Sequence, residues 1–202
     1  SLMSVIGGRR RPSSGSATVL GGDAFEDTAL ALRVALVTSD WEIGIGMPVS
    51  RLVTSAAAGV SPERVRKLVA ALDVGGLLGE DVLRISEGQR RRVQLLCKLL
   101  PPREVILLDE VTNSLDVLAR ARLLDFLRAE ESEGRGATIV FCTHIFDGLD
   151  GWATDVAHLE HGRIAHRFAA EDIPEGATLY GMVREWLTAR AEARTAAGPD
   201  SR

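Results

Sequence analysis

Four consecutive aliphatic residues, Val105–Leu108, constrain the fold more than any other feature of the sequence. A run of this kind, without polar alternation, is typical of a strand that is buried on both faces, as the strands of parallel sheets are. Parallel strands of one sheet are joined by crossover connections, which are usually helices. The run therefore predicts an α/β fold with a parallel sheet at its core.

Two acidic residues, Asp109 and Glu110, follow this run directly. The carboxyl end of a strand is where open α/β sheets bind their ligands. One carboxylate there can hold Mg²⁺, usually through water, and the next can orient or deprotonate an attacking water molecule. Taken alone, the pair is equally compatible with a solvated strand end that carries no chemistry.

A second strand is predicted at Ala137–Cys142, shortly before His144, and is expected to be buried like the first. Between the two strands, a polar turn at Asn113–Asp116 leads into a helix predicted over residues 117–131. The carboxyl ends of parallel strands share one edge of the sheet, so we expect His144 to lie beside the acid pair. A lone histidine after a strand is more often structural. A functional role for His144 therefore depends on its lying beside Asp109 and Glu110.

The segment before the first strand is predicted to be a helix that begins at Ser86 and is stopped by Pro101. Ser86 is a favourable N-cap residue. The unpaired N–H groups at a helix N-terminus attract phosphate, and Gly88 leaves the backbone bare for a close approach. An ordinary capped helix explains a Ser-x-Gly sequence on its own. The apolar stripe is predicted to consist of Val93, Leu96, Cys97 and Leu100, and the polar side to carry Arg90, Arg91 and Arg92.

In four motifs, taken in their order and spacing, the chain resembles the ATP-binding cassette (ABC) ATPase family. Residues 85–89, I-S-E-G-Q, resemble the signature motif, and residues 105–110, V-I-L-L-D-E, resemble Walker B with its catalytic glutamate. Residues 113–116, N-S-L-D, resemble the D-loop, and residues 143–144, T-H, resemble the switch histidine. The flanking stretches are similar to a subfamily without membrane domains. That subfamily includes an ATPase associated with a fungal mRNA-deadenylation and transcription-regulating complex.

The resemblance implies a P-loop NTPase-like fold with an inserted helical subdomain, and hydrolysis of ATP to ADP and phosphate with Mg²⁺ as cofactor. It assigns the Mg²⁺ shell to Asp109, through water, the attacking water to Glu110, and a γ-phosphate contact to His144. It also implies a head-to-tail homodimer in which the signature motif of one subunit completes the site of the other. The nucleotide-binding residues implied in this way are Ser86, Glu87, Gly88, Gln89, Asp116 at the dimer interface, and Asp40 in the Q-loop.

The sequence departs from the family pattern in two places. It contains no G-x-x-x-x-G-K-[S/T], and its two lysines, Lys67 and Lys98, follow no glycine loop. Ser1 and Leu2 resemble the residues just after a Walker A lysine, so we expect a fragment that lacks the N-terminal strands and phosphate loop. A degenerate protein that never had them is the alternative. Asp40 stands where the family has its Q-loop glutamine, and could supply an oxygen at shorter reach.

Three functions fit these motifs. The favoured one is a soluble regulatory ATPase, attached to a gene-expression complex. The first alternative is the ATPase subunit of a transporter with separate membrane subunits, against which the missing Q-loop glutamine argues. The second is a catalytically dead scaffold without a phosphate loop, against which the intact Asp109, Glu110 and His144 argue.

Composition narrows the class of protein without naming a partner. The 202 residues suffice for one ordinary domain, and a net charge of −4 indicates neither nucleic-acid nor membrane binding. The two cysteines indicate no disulfide framework. No apolar run is long enough to cross a bilayer and no signal peptide is visible, so the expected location is the cytoplasm, with the nucleus as an addition.

The remaining elements complete the expected organisation. The expected parts are 1–40 and 101–170 for the two halves of the ATPase core, 41–100 for the helical subdomain, and 171–202 for a C-terminal helix and tail. Further helices are predicted at Ser50–Gly59, Pro62–Asp73, Ile145–Asp150 and Thr178–Arg194, with a disordered tail at Ala196–Arg202. A hairpin over residues 156–168 carries three histidines, for which solvated strand faces are favoured over a metal site.

Overall fold

The computed structural model describes residues 1–38, 41 and 43–196. The chain forms two compact units, Ser1–His144 and Ile145–Arg202, the second described as far as residue 196. The prediction for Asp40 and nearly all of the predicted tail lie outside the described residues. Within the described ranges, no helix combines the length and the apolar character that crossing a bilayer requires.

A three-stranded parallel sheet forms the centre of the first unit. Its strands, in spatial order, are β3 (Val34–Val37), β4 (Val105–Asp109) and β5 (Thr138–Cys142). β4 is the middle strand, and its four aliphatic residues are all buried, as their unbroken run predicts. Helix α1 (Leu2–Ile6) packs against this sheet through Met3, which shares a cluster with Leu36 and Leu107. The parallel core confirms the predicted α/β fold class.

The prediction of a second fully buried strand is wrong. β5 lies where it was expected, but exposed and half-buried residues alternate along it, and Val140 is 38% exposed. β5 ends the three-stranded order, and one of its faces, which carries Thr138, Val140 and Cys142, is uncovered. An apolar sequence reports strand propensity, but it does not report whether a strand is central or at an edge.

Among the described residues between β3 and β4, the chain forms three α-helices. They are α2 (Val49–Ala56), α3 (Pro62–Ala71) and α4 (Glu87–Leu99). The Ser61 hydroxyl caps α3 by accepting from the N–H of Arg64 at 3.3 Å, and Pro62 opens the helix, as predicted. Leu68 of α3 and Val93 of α4 are completely buried, so both apolar stripes face the interior.

The helix after β4 changes its winding before it ends. α5 (Val117–Phe126) passes into a π-helical segment, Leu127–Glu133, where a single helix was predicted. Glu131 in this segment is fully buried and pairs with Arg64 of α3 and, at 3.3 Å, with Arg135. Arg64 lies 67 residues before Glu131 in the sequence. Helical periodicity reports only local spacing, so it does not predict a change from α- to π-helix at a residue with such a distant partner.

Short elements complete the first unit. β1 (Thr18–Val19) and β2 (Gly22–Asp23) form a small antiparallel pair, and a 3₁₀ turn at Thr28–Leu32 leads into β3. Another 3₁₀ turn, Gly75–Leu77, follows α3.

The second unit contains an antiparallel hairpin and a long helix. The strands are β6 (Asp155–Glu160) and β7 (Arg163–Ala169), followed by a 3₁₀ turn at Ala170–Asp172 and by α6 (Leu179–Ala196). His161 and Gly162 connect the strands with positive φ angles of 47° and 75°, which is the geometry of a two-residue hairpin turn. Both the hairpin and the C-terminal helix were predicted.

The helix predicted at Ile145–Asp150 is absent from the structure. The segment forms a turn instead, closed by a 3.0 Å hydrogen bond from the N–H of Leu149 to the carbonyl of Phe146. Gly148 in this turn has a φ of 75°, which a right-handed helix cannot contain. Two of the three hairpin histidines do not simply lie on solvated strand faces: His158 and His166 stack on each other and on Trp186 of α6, with centroids 4.5–5.7 Å apart.

Candidate functional site

The acid pair lies at the carboxyl end of the middle strand. Asp109 is the last residue of β4, and Glu110 follows it at the start of the loop. Both side chains are half-buried, whereas the strand behind them is closed to solvent. The carboxylates therefore stand at the rim of the apolar core, where open α/β sheets bind ligands.

Glu110 has an unusual backbone conformation. Its φ is 52°, in the left-handed region that a residue with a Cβ rarely adopts. Its N–H donates to the carbonyl of Cys142 at the end of β5, at 3.0 Å. A strained position of this kind persists only where its surroundings determine it, and such positions cluster at functional sites.

His144 lies beside Glu110, as its place after β5 predicts. Its Nδ1 is 2.9 Å from Glu110 Oε2. The histidine side chain is 70% exposed and that of Glu110 is 33% exposed, so the imidazole can reach a ligand in solvent while it touches the carboxylate. The structure thus joins two residues that are 34 positions apart in sequence at one edge of the sheet.

A hydroxyl completes the group on the other side of Asp109. The Oγ of Ser1 lies 3.4 Å from Asp109 Oδ2, and it also caps α1 by accepting from the N–H of Ser4. Ser1 was not among the predicted site residues. The signal that could have added it was its resemblance to the residue after a Walker A lysine.

Together with burial, the acid pair also raises the pKa of a neighbouring thiol, that of Cys142. Burial raises the pKa of Cys142, and the negative charges of Asp109 and Glu110 raise the pKa further. Cys142 pairs with Asp109 in the parallel register between β5 and β4. The edge of the sheet is therefore an environment of negative charge, which suits a cation.

The start of α4 and the turn before α5 form a second group. Ser86 caps α4 through a reciprocal capping box, in which its hydroxyl accepts from the N–H of Gln89 and the Gln89 side chain accepts from the N–H of Ser86. Glu87 lies in the first turn of the helix. A Cβ added to Gly88 would come within 3.1 Å of the carbonyl oxygen of Ser114, so this glycine allows the helix to approach the turn closely.

Asp116 belongs to the same group as the N-cap of α5. Its carboxylate accepts from the N–H of Ala119 at 2.9 Å, and this hydrogen bond is the main cause of a lowered pKa. The side chain is therefore a fixed anionic cap. Asp116 therefore caps α5 within its own subunit, independently of any contact with a second subunit.

Arg91 corrects the prediction that three successive arginines line the polar side of α4. Its side chain is buried, and its guanidinium donates to the carbonyls of Val111 at 3.2 Å and Thr38 at 2.6 Å. Helical periodicity predicts a solvent-facing side chain at this position, because the sequence of α4 does not show which strands the helix packs against. The strand ends that α4 packs against supply the carbonyl acceptors that make burial of the charge tolerable.

The donor set near Asp109 fits a hard cation. A carboxylate and a hydroxyl supply only oxygen atoms, which Mg²⁺ prefers. In residues 1–38, 41 and 43–196, no three His, Cys, Asp or Glu side chains are grouped as a metal cage. Few direct protein ligands are usual for Mg²⁺, which keeps much of its water and binds substrate phosphates.

Comparison with known proteins points to one family. A family model described as "AAA domain, putative AbiEii toxin, Type IV TA system" matches residues 41–149. "ABC transporter I family member 20" of Arabidopsis thaliana is 37% identical over 92% of the chain. "CCR4-associated factor 16" of Saccharomyces cerevisiae is 51% identical over 50% of it. The chain spans 60% and 34% of the lengths of these two relatives.

A solved structure shows the same fold. The "ATP binding subunit of ABC transporter" superposes with a TM-score of 0.76 at 21% identity, covering 91% of this chain and 81% of the other. This likeness establishes the architecture in which the two groups of candidate residues stand.

Proposed function

Since this chain is an ABC-type ATP-binding domain and belongs to the AAA-domain family matched over residues 41–149, we propose that it hydrolyses ATP to ADP and phosphate. The observation that carries the proposal is the cluster of Ser1, Asp109, Glu110 and His144 at one edge of the parallel sheet. Each of these groups has a distinct task in phosphoryl transfer to water.

Asp109 and Ser1 are the residues that would hold Mg²⁺. Their oxygen atoms lie 3.4 Å apart, so one cation shell can include both, directly or through water. When bound, Mg²⁺ neutralises charge that develops on the phosphate oxygens. Asp109 contributes the anionic ligand, and Ser1 contributes a neutral one.

Glu110 is positioned to activate the attacking water. The water oxygen forms a bond to the γ-phosphorus while the bond from that phosphorus to the bridging oxygen breaks, and ADP leaves with the bond's electron pair. Glu110 accepts the proton that the water loses. His144, which is 2.9 Å from Glu110 and largely exposed, is suited to contact the γ-phosphate while it fixes the carboxylate.

The second group of residues supports a shared site. The N-terminus of α4 offers Ser86, Gly88 and the positive end of the helix dipole to an anion. We assign this surface to the ATP of a second subunit in a head-to-tail homodimer, with Asp116 at the interface. Glu87 lies in the first turn of the helix, and Gln89 holds that turn in shape through the capping box.

Glu110→Gln tests the assignment. In the protein expressed from its complete reading frame, the substitution keeps the shape of the side chain and removes its basicity. We expect steady-state phosphate release to fall by about 10²-fold or more, because general base catalysis is lost. ATP should still bind, so gel filtration with Mg-ATP should show a dimer that persists longer than the wild-type dimer. Glu104→Gln, at an exposed ion pair with Arg33, is the matched control. Undiminished turnover in the Glu110→Gln protein would refute this role.

One of the named relatives supports a proposal about the cellular setting. We propose that the protein is a regulatory ATPase of the cytoplasm, and also of the nucleus, attached to a gene-expression complex. The 51% identity with a protein named CCR4-associated factor supports this. Affinity purification of the tagged protein from its source cells should recover subunits of a gene-expression complex. Recovery of a membrane permease instead would favour the transporter alternative.

A further inference from the structure

The strained backbone at Glu110 is held from two sides. On the amino side, its own N–H donates to the carbonyl of Cys142 at 3.0 Å. On the carboxyl side, the carbonyl of the next residue, Val111, accepts from Nε of Arg91 at 3.2 Å. The first contact comes from the neighbouring strand, and the second comes from the helix whose start carries Ser86 and Gly88.

Arg91 also reaches the end of a second strand. Its Nη1 donates to the carbonyl of Thr38, just after β3, at 2.6 Å. Gln94, one turn later on α4, donates to the same carbonyl at 3.2 Å and accepts from Arg91. Arg91 is 8% exposed and Gln94 is 2% exposed. A charge at this depth is tolerated because the fork of the guanidinium is engaged by carbonyl oxygens.

The two flanking arginines make contacts of another kind. Arg90 reaches the carbonyls of Val82 and Leu83 at 3.3 and 3.5 Å, and Arg92 pairs with Asp73 at 3.0 Å. These partners all belong to the helical region itself. Arg91 instead connects that region to the ends of β3 and β4.

We propose that Arg91 is a positioning residue for the reaction, through which α4 sets the backbone of Glu110. This inference rests on the proposed ATPase function. Displacement of α4, on engagement of Ser86 and Gly88 by a ligand, moves the guanidinium and with it the carbonyl of Val111. The carboxylate of Glu110 then changes its position relative to the attacking water. Gln94 keeps the guanidinium on the Thr38 carbonyl, so that the two strand ends move together.

The test compares Arg91→Met with Arg90→Met in the protein expressed from its complete reading frame. Both substitutions remove a guanidinium from the same helix, but only the first removes the bond to Val111. We expect Arg91→Met to lower kcat for ATP by about 10- to 100-fold with little change in KM, because misplacement of a catalytic group acts on the chemical step. Arg90→Met should have kcat and KM close to the wild type.

Amide hydrogen exchange supplies a readout that does not depend on turnover. The peptide that spans Leu108–Thr112 contains the Glu110 amide, which donates to Cys142. In Arg91→Met this peptide should exchange faster, and in Arg90→Met it should exchange as in the wild type. Gln94→Leu removes the second donor to Thr38 but leaves Arg91 on Val111, so it should change the exchange of this peptide less than Arg91→Met does.

If Arg91→Met does not fold, Arg91→Lys answers the same question. A single ammonium keeps the charge but cannot supply the two-pronged donor set, so kcat should fall between the wild type and a complete loss. Unchanged exchange over Leu108–Thr112, or faster exchange with unchanged kcat, would overturn the proposal. Absence of turnover in the wild-type protein would refute the ATPase function itself, while the exchange data would still report whether Arg91 holds this backbone.

Discussion

At the scale of single residues, the two cysteines have different surroundings. Cys97 lies on α4, where burial raises the pKa of its thiol to about 11. Cys142 is exposed at the end of β5, beside the acid pair. Only the thiolate is nucleophilic, so reactivity depends on both the pKa and the access of the reagent.

Alkylation should therefore be selective for Cys142. At pH 8, a pKa of about 11 leaves roughly one Cys97 thiol in a thousand ionised. Of the two cysteines in this sequence, iodoacetamide should modify Cys142 in the native protein and Cys97 only in denaturant, as read by mass spectrometry of tryptic peptides. The reactivity of Cys97 should rise with pH up to about 11, since burial disfavours the charged form. Cys142→Ser is the control, and rapid native labelling of Cys97 would contradict this account.

Sequence patterns predicted the positions of some residues of the candidate site and missed others for physical reasons. Asp109, Glu110 and His144 could be found because the ends of parallel strands meet at one edge, so position in sequence predicts position in space. Arg91 could not, since its burial depends on carbonyl acceptors from distant strand ends. Ser1 gave only a weak signal, because a serine before a helix is foremost a cap.

At the scale of elements, a buried ion pair joins α3 to the π-helical segment after α5. Arg64 pairs with Glu131, which has no exposed surface, and donates to the carbonyls of Leu99 and Leu100 at 2.6 and 2.8 Å. One guanidinium thus ties together α3, the end of α4 and the π-helical segment. The sequence predicted a helix here, but not its π-helical winding. The winding occurs together with the Arg64–Glu131 ion pair, and local sequence does not reveal a contact between residues so far apart.

Glu131→Ala should be strongly destabilising. Removing one partner of a buried pair leaves the other charge uncompensated, at a cost of roughly 3–5 kcal/mol in the free energy of unfolding. The adjacent Glu130 is 39% exposed and pairs with Lys67, so Glu130→Ala should cost less than about 1 kcal/mol. Urea unfolding followed by circular dichroism compares the two variants. Equal losses in both would show that the buried pair has no special part in joining these elements.

The edge of the sheet shows another limit of sequence patterns. β4 and β5 both consist mainly of apolar residues, yet only β4 is covered on both faces. The sequence of Ile145–Asp150 predicted a helix, whereas the segment forms a turn. Glycine occurs both in helices and in turns, so the sequence does not show that Gly148 has a positive φ here. In both cases local sequence gave a correct propensity, and the surrounding chain decided the outcome.

At the scale of the whole molecule, the candidate residues belong to two surfaces. Asp109, Glu110 and His144 form one, and Ser86 with Gly88 at the start of α4 belongs to the other. In a head-to-tail dimer, the acidic surface of each subunit would face the start of α4 of its partner. Because the dimer is two-fold symmetric, this contact would occur twice. We propose that one reaction site is built from both surfaces.

Mixing two inactive variants tests that claim most directly. Ser86→Arg blocks the exposed start of α4, and Glu110→Gln removes the base, so each protein alone should release little phosphate from ATP. After random subunit exchange, half of the dimers are mixed and each mixed dimer holds one intact site. We therefore predict recovery of about a quarter of the wild-type rate. A rate no higher than that of the separate variants would contradict a site shared between subunits.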